Sequence, residues 1–281
     1  MKERDYVRPP AVAGLFYPSD KIKLEQTVRE FLENAGTRLQ ESRKDKCKPF
    51  GIISPHAGYQ FSGLAAAHGY SLLEKEMFQT VIVISPSHRE YFNGVSTFSG
   101  KAYSTPLGQI EIDHGMREMF LEKMGDIAVD SRAGHQTEHA IEVQLPFLQL
   151  TLGNFKLLPI VMGDQKASYC KSLGMTVADI AKETDALVVA SSDLSHYYDY
   201  DTANEIDERC IDDIIKRDAG AFLLDLETRR CEACGGGPIA SCMIAANELN
   251  HKAISILYHC NSGDSSGDKS AVVGYLSAIF S

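Results

Sequence analysis

Phe50-Gly-Ile-Ile-Ser54-Pro-His56-Ala-Gly58-Tyr59 is the stretch that decides the fold: a short apolar run stops abruptly in a serine, a proline and a histidine. The pattern recurs. Val81-Ile-Val-Ile-Ser85 leads into Pro-Ser-His88, and Ala186-Leu-Val-Val-Ala-Ser191 leads into Ser-Asp193-Leu-Ser-His196. Lys156-Leu-Leu-Pro-Ile-Val-Met162 leads into Gly163-Asp164-Gln165. Near-continuous apolarity over so few residues marks a strand covered on both faces. Between the runs lie stretches with helical spacing, at residues 21–39, 138–150 and 207–226. This alternation predicts an α/β fold, a single domain over residues 1–281 with a mostly parallel central sheet and helices on both faces. Residues 94–113 alternate Val95, Thr97, Tyr103 and Ile110 around the turn residues Ser99-Gly100 and Pro106-Leu-Gly108. They predict a hairpin or antiparallel edge, which makes the sheet mixed.

Composition excludes several function classes. The formal net charge of -10 is spread along the chain, so a nucleic-acid backbone is not an expected partner. Met1-Lys-Glu-Arg-Asp-Tyr lacks the apolar core of a signal peptide, and runs such as Val81-Ile-Val-Ile84 fall far short of the ~20 residues that span a bilayer. Seven irregularly spaced cysteines without a secretion signal predict a reducing, cytoplasmic setting. Oligomeric state leaves no mark in the sequence.

In an open α/β sheet, ligands bind beyond the carboxyl ends of the strands. His56, His88 and His196, with Asp193 and Asp164, are therefore expected around one crevice. Several imidazoles in one cleft are a transition-metal signature, although a lone histidine after a strand is more often a hydrogen-bonded cap. Pro55 and Pro86 stiffen the turns that carry His56 and His88. Asp193 stands to orient the His196 ring or to cap its turn.

Cys234 lies in Cys231-Glu-Ala-Cys234-Gly-Gly-Gly-Pro238, ahead of a predicted helix whose positive end favours thiolate. A single C-x-x-C is weak by itself, and a loop thiol without function is the plain alternative. The spacing also allows a reducible Cys231–Cys234 disulfide under oxidants. In His135-Gln-Thr-Glu138-His139-Ala-Ile-Glu142, Thr137 is a candidate helix cap. His139 and Glu142 share a face of that predicted helix, either as a pair supporting the metal ligands or as a salt-bridged surface. His68, His114, His251 and His259 read as structural.

These motifs resemble the Memo family, the middle member of the AmmeMemoRadiSam system. Arg8-Pro-Pro-Ala-Val-Ala-Gly14-Leu-Phe-Tyr-Pro18 near the start and Gly267-Asp-Lys-Ser-Ala-Val-Val-Gly274-Tyr275 near the end extend the resemblance over almost the whole chain. It implies the fold of class III extradiol ring-cleaving dioxygenases, whose Fe(II) is held by two histidines and a glutamate. By that resemblance His56 and His88 are metal ligands, Cys234 stands where those enzymes place the carboxylate, and His196 is the acid/base. One transition-metal ion is implied, Fe(II) first, with Cu or Zn as alternatives because thiolate is a softer donor. The implied function is a metal-dependent redox enzyme acting on an unknown small molecule. The alternatives are a non-catalytic metal-binding or scaffold protein serving a radical-SAM partner, or a peptide-binding adaptor, as animal members are described.

Overall fold

The computed structural model describes residues 3–42 and 48–281. Its first half runs β1 (Val7–Arg8), α1 (Lys21–Ser42), β2 (Gly51–Ser54), α2 (Tyr59–Tyr70), β3 (Thr80–Pro86), β4 (Val95–Phe98), β5 (Ala102–Thr105), β6 (Gly108–Glu111), α3 (His114–Met124) and β7 (Ala128–Ser131). The second runs α4 (Leu145–Leu152), β8 (Lys156–Met162), α5 (Ala167–Thr184), β9 (Leu187–Ser191), β10 (His196–Tyr198), α6 (Tyr200–Lys216), α7 (Ala219–Glu227), α8 (Gly236–Glu248), β11 (Ile254–Asn261), α9 (Ser262–Ser266) and β12 (Val272–Phe280).

The apolar runs become neighbours. Among the described residues the large sheet has the order β10-β12-β2-β9-β3-β8-β4-β7, with β11 also paired to β12. Strands β2, β9, β3 and β8 pair in parallel. Antiparallel β12 beside β2 and β4 beside β8 make the sheet mixed. Side chains alternate across the strands, so each feeds two cores. Ile53, Ile84, Val188 and Leu158 join the core beneath α3, α5 and α8, with Phe120, Leu173 and Met243. Ile52, Val83, Val189 and Leu157 join the opposite core, with Leu24 and Val28 of α1, Tyr70 of α2 and Phe147 of α4. All four runs are buried on both faces, as their unbroken apolarity requires.

Register positions the site. Ser54 pairs with Ser191, and Ile84 with Ala190, so β2, β9 and β3 end at one level. Residues two or three positions further on share a crevice, and these are His56, Asp193 and His88.

Three expectations change. Residues 94–113 do not form one hairpin: β4 joins the large sheet, whereas β5 and β6 pair with each other and with β1 in a separate three-stranded sheet. The helix expected over 207–226 is two, because Arg217 adopts a left-handed φ of 60° and the Asp218 side chain caps the next helix at Ala221. The helix expected from residue 138 begins later, as a 3-10 turn at Glu142–Gln144 followed by α4. The Glu138 carboxylate accepts from the His139 and Ala140 amides at 2.9 and 3.0 Å, holding a loop where Thr137 was expected to cap a helix.

Candidate metal centre

The residue after each strand end is held by a partner from another segment. His56 donates its amide to Asp193 Oδ1 at 2.7 Å, and its Nδ1 lies 2.9 Å from Ser191 Oγ. The Ser191 hydroxyl donates to the Ala140 carbonyl at 2.7 Å, so its oxygen can only accept from the imidazole. That places the proton on Nδ1 and the lone pair on Nε2. His56 Nε2 lies 3.1 Å from Cys234 Sγ. Burial, aided by the neighbouring His88, pulls His56 well below the usual imidazole range and keeps it neutral, as a ligand must be.

His88 is fixed in the same sense by a different residue. Its amide donates to Glu138 Oε2 at 2.6 Å, and its Nδ1 lies 2.9 Å from Oε1. A carboxylate on Nδ1 holds the proton there and leaves Nε2 free. Burial alone would raise Glu138, but the His88 hydrogen bonds and its charge bring it down to about 2. Glu138 therefore stays ionised.

Cys234 sits in the turn before α8. Its Sγ accepts from the Asp193 amide at 3.2 Å, and Gln165 Nε2 donates to its carbonyl at 2.9 Å. The next residue must be glycine: a Cβ on Gly235 would lie 2.3 Å from the Ser191 carbonyl oxygen. This close approach docks the cysteine turn against the end of β9. Burial, with Asp193 beside it, pushes the Cys234 thiol up, against the hydrogen bonds of Asp193, Ser192 and Gly235 that favour the thiolate. A thiolate there requires a cation against it.

The donor atoms of His56, His88 and Cys234 all lie within 4.8 Å of one another. Two imidazoles whose Nε2 atoms face each other's site and a thiol that a cation would ionise fit a single borderline or soft metal ion. A second group within the same span is His88, Glu138 and His139.

The other expected residues divide. Asp193 bonds the His56 amide and the Cys234 turn and has no hydrogen bond to His196, so it braces the centre and does not orient that ring. His196 is oriented by the Leu194 carbonyl, 2.8 Å from Nδ1, which leaves Nε2 available. It lines a cavity of about 370 Å³ together with Cys234. A bulge in the β10–β12 pairing, with Tyr197 at φ 66°, falls directly after His196, which pairs with Val273. His139 stacks on His88 at 4.9 Å and meets His56 edge-on at 5.5 Å. Its Nδ1 is 3.3 Å from Glu138 Oε1 but lacks hydrogen-bond alignment, so we count that contact as electrostatic only.

Glu142 is a correction. It does not pair with His139 and is neither a supporter of the ligands nor a surface group. Its buried carboxylate takes the Arg8 guanidinium, the Ala11 and Val12 amides and the Tyr17 hydroxyl, tying the N-terminal segment to the domain. Cys231 is buried, and its contact with Cys210, together with burial, pushes the Cys210 thiol up. Cys47 lies outside the described residues.

Sequence reasoning missed Glu138, Ser191 and Gln144. Gln144 accepts from Ser54 and Tyr70 and donates to Ser191 Oγ at 2.8 Å, completing the scaffold behind His56. Nothing in the spacing links Glu138 to His88, fifty positions away; the usable signal was chemical, since a ligating histidine needs an acceptor on its other nitrogen.

The family model described as Memo-like protein matches residues 8–279. A MEMO1 family protein of Methanosarcina acetivorans is 41% identical, the match covering 97% of this chain and 98% of that one. Its counterparts in Sulfolobus acidocaldarius and Methanopyrus kandleri are 39% and 37% identical, over 98% and 97% of this chain and 99% and 98% of theirs. An uncharacterized protein of Escherichia coli with a crystal structure shares the fold at a TM-score of 0.52 and 13% identity, over 83% of this chain and all of that one. No helix among the described residues is long and apolar enough to cross a membrane.

Proposed function

Given that the chain belongs to the Memo family, we propose that it holds one transition-metal ion on His56 Nε2, His88 Nε2 and Cys234 Sγ and uses it in redox chemistry on a small molecule. The observation that carries this reading is the pair of fixed tautomers: Ser191 and Glu138 each take a Nδ1 proton, so both Nε2 lone pairs are free beside the thiol. Three protein donors leave a position open, and Fe(II) or Cu suits the mixed imidazole–thiolate set, with Zn as the redox-inert alternative. When bound, the ion would supply Lewis acidity and electron transfer. His196, with Nε2 free at the edge of the cavity it shares with Cys234, would move a proton to or from the bound molecule. Asp193 and Gln165 hold the cysteine turn in place, and Glu138 holds His88.

Metal content after anaerobic purification, measured for the natural chain and for His56→Ala, His88→Ala, Cys234→Ser and His196→Ala, tests the assignment. The expected result is about one ion per chain, lost in His56→Ala and His88→Ala, reduced but still measurable in Cys234→Ser, and kept in His196→Ala. Undiminished content in the first three overturns it. A catalytic role for His196 is expected to cost ~10²–10⁴-fold in turnover on replacement.

A second reading, a metal-binding scaffold serving a protein partner such as a radical-SAM enzyme, rests on a separate observation. The most exposed large apolar side chains are Leu15, Tyr197 and Tyr91, at 78%, 77% and 75%. They leave the segments beside His139, His196 and His88, and an apolar rim of that kind suits a protein contact. On this reading, His196→Ala changes neither metal content nor any turnover.

A further inference from the structure

Helix α7, Ala219-Gly-Ala-Phe-Leu-Leu-Asp-Leu-Glu227, is more apolar than its packing explains. Phe222 alone of its side chains is fully buried, Leu223 and Leu226 are partly covered, and Leu224 is 50% exposed. These leucines wall a cavity of about 670 Å³ whose other side is Gln165 and the first turn of α8. That volume is in the range of small-molecule sites. The cavity adjoins a smaller one lined by His196 and Cys234, because Leu226 and Ala233 line both. Gln165 lines the larger cavity and ties it to the cysteine turn, bonded at once to the Cys234 carbonyl and to the Gly237 amide. Leu226 lies so close to α8 that a Cβ on Gly236 would meet its Cδ1 at 2.3 Å, so it forms the ridge between the two cavities.

We propose that the groove between α7 and the first turn of α8 receives the apolar body of the small molecule whose chelating end reaches the metal past Leu226 and Ala233. The inference rests on the metal reading and adds the substrate class: an elongated molecule, metal-chelating at one end and aliphatic or aromatic beyond it. A concave wall of leucines removes such a body from water; Lys166 and Asp164 pair with each other at the outer rim, and the Glu227 carboxylate on the same lining disfavours an acidic tail.

The test compares two probes with one chelating head, acetohydroxamate and octanohydroxamate, titrated calorimetrically into the Fe(II)-loaded protein under anaerobic conditions. They differ by six methylenes, so octanohydroxamate is expected to bind at least ~10-fold more tightly. Leu224→Glu is expected to reduce that advantage to within ~3-fold while metal content and acetohydroxamate affinity stay the same. Leu224 is half exposed, so the variant should fold, and Leu224→Gln provides a milder version. Equal affinity of the two probes for the natural chain, or an advantage that survives Leu224→Glu, overturns the groove while leaving the metal reading intact. Failure of both probes to bind the metal-loaded protein overturns the groove together with the open coordination position.

Discussion

Glu138 and Glu142 lie four positions apart in one short segment, both are buried, and they do opposite things. Glu142 faces a permanent cation: Arg8 pairs with it, and two amides and the Tyr17 hydroxyl fill its remaining acceptor sites. Its charge is balanced inside the protein. Glu138 faces histidines, His88 and His139, and Arg8 reaches only its backbone carbonyl. Among the described residues no permanent cation pairs with its carboxylate. A buried carboxylate behind an imidazole gains its counter-charge when that imidazole binds a cation on its other nitrogen. Glu142 is thus a structural staple, and Glu138 is half of an electrostatic arrangement that a bound metal would complete.

The largest effect expected from breaking this contrast is on Glu142. Glu142→Ala leaves Arg8 buried and unpaired, which should cost ~3–5 kcal/mol in denaturant unfolding of the metal-free protein. Metal stoichiometry of the folded fraction should not change. Glu138→Gln is the mirror experiment. It keeps an acceptor but removes the charge, so metal affinity should fall ~10–100-fold in competition with a chelator, with a smaller change in unfolding free energy. An unfolding loss in Glu138→Gln that matches Glu142→Ala would erase the distinction. Tyr17→Phe removes one donor from Glu142 and should destabilise by ~1–2 kcal/mol without touching metal affinity.

The smallest effect is the slope of stability with pH. His135, buried between Tyr103 and Ser96, accepts from the Tyr103 hydroxyl at 2.6 Å and donates from Nε2 to the Ser96 carbonyl at 3.2 Å. Burial pulls it down from 6.5 to about 3, so the unfolded chain binds a proton that the native state refuses. Stability from this group is full above the ordinary imidazole value and declines as pH falls from 6.5 toward 3. Glu138, depressed from 4.5 to about 2, adds a loss of the same sign in the lower window. His135 alone should therefore contribute a loss of roughly 1 kcal/mol per pH unit between about pH 6 and 5 in the metal-free protein, to which His56 and His139 add losses of the same sign, so the loss in a His135→Gln variant should be shallower by that amount. An unfolding slope unchanged by His135→Gln would contradict the neutral, fully bonded His135.

The sheet was legible because burial on both faces writes itself into sequence as unbroken apolar runs, and the crevice followed from where those runs stop. Residues 94–113 were harder, since an alternating strand does not say which sheet it joins. The segment from His135 to Glu142 misled for a different reason. Its i, i+3 spacing suggests a helical face, yet the Glu138 side chain captures the His139 and Ala140 amides that a helix would have used. His56, His88 and Cys234 were visible as strand-end and helix-start residues, and the structure brings them together. Their supports were not visible, because Ser191, Gln144 and Glu138 act through contacts between distant segments that leave no local pattern.

X-ray absorption at the edge of the bound metal, on the natural chain and on Cys234→Ser, tests the central claim most directly. The account predicts a mixed shell, with imidazole nitrogens at ~2.0–2.1 Å and one sulfur at ~2.3 Å, and loss of the sulfur contribution in Cys234→Ser. A shell of nitrogen and oxygen alone in the natural chain, or a sulfur contribution that survives in Cys234→Ser, would contradict it.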